Sequence, residues 1–494
     1  MTQMDGSAKL SWRTKLTYGV GRAAEGIKTR AFEFFLFFYF VQVLGLSGSL
    51  AGLAVGVSLI VDAVIDPLIG SYSDNLQSRF GRRHPLMYAA LPPLGITFYL
   101  LFDPPDGLGP MGLFFWLTGF SILSRAAIAL FHVPHLSLGA ELSSHYTERS
   151  SVVAIRTLFG AAGSVLCLLV GMNYFFAPSG DFTNGQLDPS RYPPFALTMA
   201  LVMVVVIAFS ALGTHRLIPT LPKAVHNDLG TGLIRMLREM RQALANKSFR
   251  ALFVGLLFFY VVVGTHATLQ LHMSTYYWEM SQTQISSYII WASVGFIAGL
   301  MILRRSHERF DKKLTFVIGS AMLVLLVAIG PTLREIGYFP ANDHPALFPV
   351  LLFLVFLAAF FAALAGVSGG SMMADIADEH ELTNGRRQEG IFFGAASFAG
   401  KSASAFGHIM AGIAIDLIAF PVRAEPGAIA DEKLTELGLF NGPMIAVIMA
   451  VGVIYFTRYN LTRQRHAEIL QTLRERNAIQ EANQIQKNPP GGAR

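Results

Sequence analysis

The chain has 494 residues, 53% of them hydrophobic and only 14% charged, with 39 phenylalanines, a mean hydropathy of +0.47 and a formal charge of +6. A soluble protein of this length carries about 25% charged residues, so a water-soluble globular class is excluded. The lone cysteine, Cys167, lies in an apolar run, which excludes a disulfide framework and argues against a thiolate metal site.

Apolar segments near the ~20 residues that span a bilayer recur along the chain. They fall at about 17–44, 49–74, 85–102, 110–140, 149–177, 194–217, 249–278, 284–303, 313–331, 346–377, 389–419 and 437–459. The pattern predicts an all-α polytopic membrane protein with twelve transmembrane helices. With both termini in the cytoplasm, about 28 basic residues fall inside and about four outside, a strong positive-inside bias. The positive charge is thus a topology signal and not a nucleic-acid footprint. No cleavable signal peptide is expected, because the polar lead carries no small-residue cleavage site.

The first span carries Arg22, Glu25 and Lys28 three residues apart, spaced to form an ion network on one face or to line an internal cavity. Glu33 could face another helix or the outer mouth, and the run Phe32–Phe40 reads as lipid-facing and packing surface. The second span holds Asp62 and Asp66, four apart and so on one helical face. A carboxylate at mid-bilayer costs roughly 2.5–3.5 kcal/mol, and two like charges cost more. The pair therefore needs either a permanent positive side chain or a small cation that binds and leaves. The fourth span holds Arg125, an internal charge or packing partner, and His132 and His135; no local carboxylate or cysteine supports the two histidines as metal ligands.

The chain also repeats, with six spans on each side of a basic linker at about 218–248. Ser73–Pro85 after span 2 corresponds to Arg304–Lys313 after span 8, and Gly139–Arg149 after span 4 to Ala374–Glu389 after span 10. The expected organisation is two pseudo-symmetric six-helix bundles, 1–217 and 249–459, joined by a cytoplasmic linker at 218–248. That is the sequence form of a rocker-switch transporter. Residues 460–494 form a cytoplasmic tail, with Ile469, Leu470 and Leu473 at helical spacing before a disordered Pro-Gly end.

The loop Asp74-Asn-Leu-Gln-Ser-Arg-Phe-Gly-Arg-Arg83 resembles the signature between helices 2 and 3 of the major facilitator superfamily. Lys15–Gly21, Asp62-Ala-Val-Ile-Asp-Pro67, Phe131-His-Val-Pro134 with Glu148-Arg149, and Met373–Asp378 running into Gly385–Gly390 resemble one branch of it. That branch is the glycoside–pentoside–hexuronide:cation symporters, the melibiose-permease-like group. The resemblance implies that Asp62 and Asp66 bind the coupling sodium, lithium or proton, that Lys401 on helix 11 faces them from the other half, and that Arg156 lines the substrate cavity. A buried salt bridge to Lys401 that merely holds the halves together is the alternative reading of the aspartates.

Departures from the family pattern are equally informative. A sugar-binding aspartate on helix 1 falls at Gly26, with Glu25 and Lys28 beside it. The helix 4 aspartate falls at His132 and a stacking tryptophan at Leu136. His132-Val-Pro with the later Glu-Arg also resembles the sodium-dependent lysolipid transporters of animals. Asp74, Arg79, Arg82, Arg83, Arg149, Asp375, Asp378 and Arg386 are expected to form cytoplasmic gate ion pairs.

The expected function is cation-coupled symport of a sugar, glycoside or related solute by alternating access. An amphipathic, lysolipid-like cargo is the alternative, and a non-transporting scaffold or sensor on the same fold a third. No nucleophile–base set, metal motif or nucleotide loop suggests an enzyme. No cofactor is expected beyond Na+ or H+, and the partners are a small solute, a monovalent cation and the lipid bilayer, with no nucleic acid. The chain is expected to act as a monomer in the plasma (bacterial inner) membrane.

Overall fold

The computed structural model describes residues 10–142, 146–178, 182, 184–221, 240–241, 243–384 and 389–487. In chain order its α-helices are α1 (Trp12–Val20), α2 (Arg22–Arg30), α3 (Gly48–Asn75), α4 (His84–Ala89), α5 (Leu91–Leu101), α6 (Pro110–Glu141), α7 (Tyr146–Val170) and α8 (Tyr192–His215). After the linker come α9 (Lys247–His272), α10 (Gln282–Glu335), α11 (Leu347–Asn384), α12 (Glu389–Leu417), α13 (Asp431–Leu439), α14 (Ile445–Thr457) and α15 (Arg463–Lys487). Among the described residues, eight helices are long and apolar enough to cross a membrane.

Their ends carry local start signals. Ser11 and Ser47 accept from the backbone N–H three residues on, Asn246 does the same for α9, and Ser281 with Gln284 makes a reciprocal capping box. The 54-residue α10 is two helices in one run: the backbone leaves helical geometry at Asp311 (φ 70°). The carboxylate of Asp311 accepts from the N–H of Lys312 at 2.6 Å and of Arg463 at 3.1 Å, which ties the start of α15 to the turn. The helix that the spacing of Ile469, Leu470 and Leu473 predicted is α15, with Ile469 and Leu473 buried and Leu470 half-buried. The Pro-Gly tail at 488–494 lies outside the described residues.

One expectation is corrected. Phe32, Phe34, Phe35, Phe37, Phe38 and Phe40 are all 5% exposed or less, so the aromatic run is core and does not face lipid. The reason is geometric. After α2 the backbone widens into π-helical segments, Ala31–Leu36 and Tyr39–Val43, which change the angular spacing of side chains and spread the rings around the helix. Neighbours then cover the whole circumference: Phe35 meets Phe176 and Phe195, Tyr39 stacks on Tyr192 at 4.0 Å, and Phe38 meets His272 and Tyr276.

The parts before and after the linker meet closely at one end. Gly48, Gly52 and Gly56 of α3 let α12 approach until a side-chain carbon at Gly52 would lie 2.6 Å from the His408 carbonyl. The Asp416 carboxylate of α12 accepts from the N–H groups of Gly48 (2.7 Å) and Ser49 (2.8 Å), capping the start of α3 from across the molecule. Arg423 donates to the carbonyls of Val43 and Leu44, the Tyr276 hydroxyl to Gln42, and Gln186 to Thr275. Gln282 donates to the Phe176 carbonyl and to Gln186.

At the opposite end, where the basic connections lie, the ion pairs described each join residues of the same part. Arg83 binds Asp74 (2.6 Å) and Glu141 (2.8 Å), and Arg82 binds Glu141 (2.8 Å). Lys312 binds Asp375 (2.7 Å), and His466 of α15 approaches Asp378 (3.0 Å). Arg79 lies over the Phe80 ring, Arg149 is exposed, and Arg386 falls outside the described residues. Glu141 is the shared acceptor for both arginines.

Candidate functional site

Halfway along α3, Asp62 and Asp66 project one turn apart, with Pro67 directly after them. Lys401 of α12 reaches across from the other part and donates to both, at 2.7 Å from Asp62 Oδ2 and 2.6 Å from Asp66 Oδ2. Arg125 of α6 approaches Asp62 at 3.8 Å; its Nε donates to Ser58 Oγ at 3.1 Å and its guanidinium lies over Phe32. Two carboxylates and two cations make a neutral cluster, the form in which charge is tolerated away from water.

This cluster forms one wall of a cavity of about 280 Å³. The lining also includes the polar face of α2, with Arg22, Glu25, Lys28 and Thr29, and Glu33 from the π-helical segment that follows it. Lys28 donates to Glu25 Oε1 at 3.1 Å, and Thr29 donates to the same oxygen. Arg30 pairs with Glu33 at 3.1 Å, so Glu33 is held at the cavity edge by its own helix. Arg22 takes a different partner: its Nη1 lies 2.6 Å from His132 Nδ1. A guanidinium can only donate, so that imidazole nitrogen accepts and carries no proton.

Of the expected cavity residues, Arg22, Glu25, Lys28 and His132 line the space together with the aspartates and Lys401. Three do not line it. Gly26 faces α7, where any side chain would collide with the Gly160 carbonyl, so it serves close packing. Leu136 is 44% exposed and off the cavity. Arg156 stands just behind the lining, beside the Tyr18 hydroxyl, with its Nε buried and lacking an acceptor. His135 is a packed histidine: it stacks on Tyr18 at 4.2 Å, and its Nε2 lies 2.8 Å from the Tyr18 carbonyl oxygen. No group of three potential metal ligands occurs among the described residues.

The structure adds Ser58, Phe32, Ser404 and His408. The last two lie on the Lys401 face of α12, three and seven residues on, so helical phase from Lys401 would have found them. Glu141 carried no such signal, since it sits at a helix end among other polar residues.

A polar, charge-balanced cavity between two parts of a helical membrane protein is the architecture of a solute carrier. The model of the family described as "MFS/sugar transport protein" matches residues 17–463, and the chain belongs to that family. It is therefore a membrane-embedded transporter and not an enzyme.

Over most of its length the chain is similar to the uncharacterized symporter sll1374 of Synechocystis sp. (strain ATCC 27184 / PCC 6803 / Kazusa), at 23% identity covering 96% of this chain and 99% of the relative. It is similar to the isoprimeverose transporter of Lactiplantibacillus pentosus at 21% identity, over 95% and 93%. A shorter stretch is 31% identical to sodium-dependent lysophosphatidylcholine symporter 1 of Gallus gallus, covering 32% of this chain and 30% of that one. Among solved structures, the inward-open xylose transporter XylE from E. coli matches with a TM-score of 0.59 at 17% identity, over 93% and 98%, a likeness of fold.

Proposed function

We propose that this protein is a cation-coupled symporter that carries a sugar, glycoside or related polar organic solute across the bacterial inner membrane by alternating access. The observation that carries the reading is Lys401 of α12, which reaches across from the other part of the chain to hold Asp62 and Asp66 together. An entering sodium ion or proton takes over the carboxylates, releases the ammonium and thereby alters the contact between α3 and α12. Coupling is then a difference in cation affinity between two states of one element pair.

Twelve crossings are counted by taking α1–α2 with its π-helical extension as one, α4–α5 as one, α13–α14 as one and α10 as two about Asp311, with α15 outside the bilayer. They divide into six-helix bundles over 1–217 and 249–459, joined by the 218–248 linker and followed by a cytoplasmic tail. With both termini and the basic connections in the cytoplasm, the sealed end faces outward and the structure represents the inward-facing state. Asp74, Arg82, Arg83, Asp375 and Asp378 then belong to the cytoplasmic gate, paired within their own bundle while the gate is open; Arg79 and Arg149 are available to it. The functional unit is a monomer.

Sodium-dependent uptake into proteoliposomes tests the site. Asp66→Asn is expected to abolish cation-dependent uptake while the protein still elutes as a folded monomer. Unchanged ion dependence in that variant would refute the assignment. A second reading, an amphipathic cargo, is favoured by the local similarity to the lysophosphatidylcholine symporter and by Gly26 and Leu136 where a sugar site would hold an aspartate and an aromatic.

A further inference from the structure

His272 closes α9 at the sealed end, where the chain passes into the π-helical segment Met273–Tyr277. Its side chain is fully buried, and neither ring nitrogen has a hydrogen-bond partner. Aromatic rings from both parts of the chain surround it. Phe37 and Phe38 of the first part lie 5.7 and 5.1 Å away between centroids. Phe420 and Tyr276 of the second part lie at 6.0 and 6.2 Å. The contact between the two parts, and not either part alone, therefore closes the imidazole in.

The charged and titratable groups on the segments packed around it are engaged elsewhere. The Tyr276 hydroxyl donates to Gln42, and Arg423 donates to the carbonyls of Val43 and Leu44. Asp416 accepts from the N–H groups of Gly48 and Ser49, and Glu33 pairs with Arg30. His266, on the same helix, lies 3.3 Å from the Asn441 side chain. A neutral imidazole carries one donor and one acceptor, so sealing takes two hydrogen bonds to water from His272 and returns none. A protonated imidazole would be buried there as a charge with no counter-ion, at far greater cost. Leucine or phenylalanine would meet the same rings at neither cost. The choice of histidine makes the seal easier to undo.

Resting on the alternating-access reading above, we propose that His272 is a proton-operated release for the sealed end. When the two parts separate there, the ring meets water and takes a proton, and the protonated ring opposes closure. Asp62, Asp66 and Lys401 lie halfway along the bundle, so this device acts on access to the cavity and not on the coupling ion. The sign follows from linkage. A histidine in water titrates near pH 6.5. A ring that binds its proton only in the open state shifts the open-to-sealed ratio by about tenfold between about pH 7.5 and 5.5, toward open as the pH falls.

The test is a distance measurement by double electron–electron resonance on the purified full-length protein with Cys167 replaced by serine. Spin labels are placed at Asp106→Cys and Asp343→Cys, both exposed, in the loops after α5 and before α11. Sealed molecules give a short distance and open ones a long distance. The ratio is expected to move about tenfold toward the long distance from about pH 7.5 to about 5.5. His272→Leu and His272→Gln cannot take the proton, and each is expected to hold the ratio constant. Asp66→Asn, which alters the coupling site, is expected to keep the response.

The proposal is overturned if the ratio of the two distances stays fixed with pH in the parent, or if it moves equally in both His272 variants. It is overturned as well if Asp66→Asn abolishes the movement, because protonation at the coupling site then drives it and the symporter reading stands. A single distance at every pH, with and without sodium, refutes alternating access itself and the release with it.

Discussion

In the proposed coupling site, Lys401 occupies the place of the ion. A charge pair about 4 Å apart is worth roughly 4 kcal/mol at an effective dielectric near 20, while desolvating each ion costs several kcal/mol. Asp66 and Lys401 are each about one-quarter exposed (26% and 27%), so water screens the contact further. Attraction and desolvation nearly balance, and a small cation can therefore compete with the ammonium. It follows that Lys401→Met removes the competitor: sodium is expected to stabilise the variant at lower concentration than the wild type, by about tenfold if the competition is worth ~1.4 kcal/mol. Sodium titration of the unfolding midpoint checks this, and a weaker response in the variant would make the lysine part of the ion site instead of its rival. Asp62, Asp66 and Lys401 were legible in the sequence because an ionisable group in an apolar run is conspicuous. Gly26 was misread for a phase reason: Arg22, Glu25 and Lys28 define the polar face of α2, and position 26 lies about 100° around from Glu25.

At the scale of elements, the contact of α3 with α12 decides which end is closed. Glycines at 48, 52 and 56 stack on one face, and Gly412 of α12 fits against Gly48 so closely that a side chain there would strike its carbonyl. Gly52→Val puts branched carbon into that contact and is expected to part the two helices. Ile415, 2% exposed, sits beside it. A cysteine introduced there should resist membrane-impermeant maleimide in the parent and react at least several-fold faster with Gly52→Val, while buried Cys167 stays silent. Equal rates would show that the seal does not depend on this approach. Eight apolar helices among the described residues were readable from apolar length, as was the α10 break from its basic loop. The π-helical turns were not. Tyr39–Val43 and Met273–Tyr277 end corresponding helices of the two expected repeats and meet through Gln42 and Tyr276, yet no residue pattern marks them, because packing around them selects the wider turn.

For the whole molecule, the sequence predicts a twofold repeat but not which end is open, since one sequence must encode both states. The proposed gate residues illustrate this: Arg82 and Arg83 find Glu141 within their own part of the chain, so the basic loops satisfy themselves without the other part. The ammonium between the two aspartates has a further consequence, for the half of the cycle that runs without cargo. After delivery, the carrier must reorient with its ion gone, and two bare carboxylates would make that stroke prohibitive. In the proposed cycle Lys401 travels as an internal stand-in, neutralising the pair so that the unloaded protein can return. Without it, as in Lys401→Met, loaded carriers should still swap labelled for unlabelled solute across the membrane, whereas net accumulation should stop. One residue would then separate an exchanger from a pump-like accumulator.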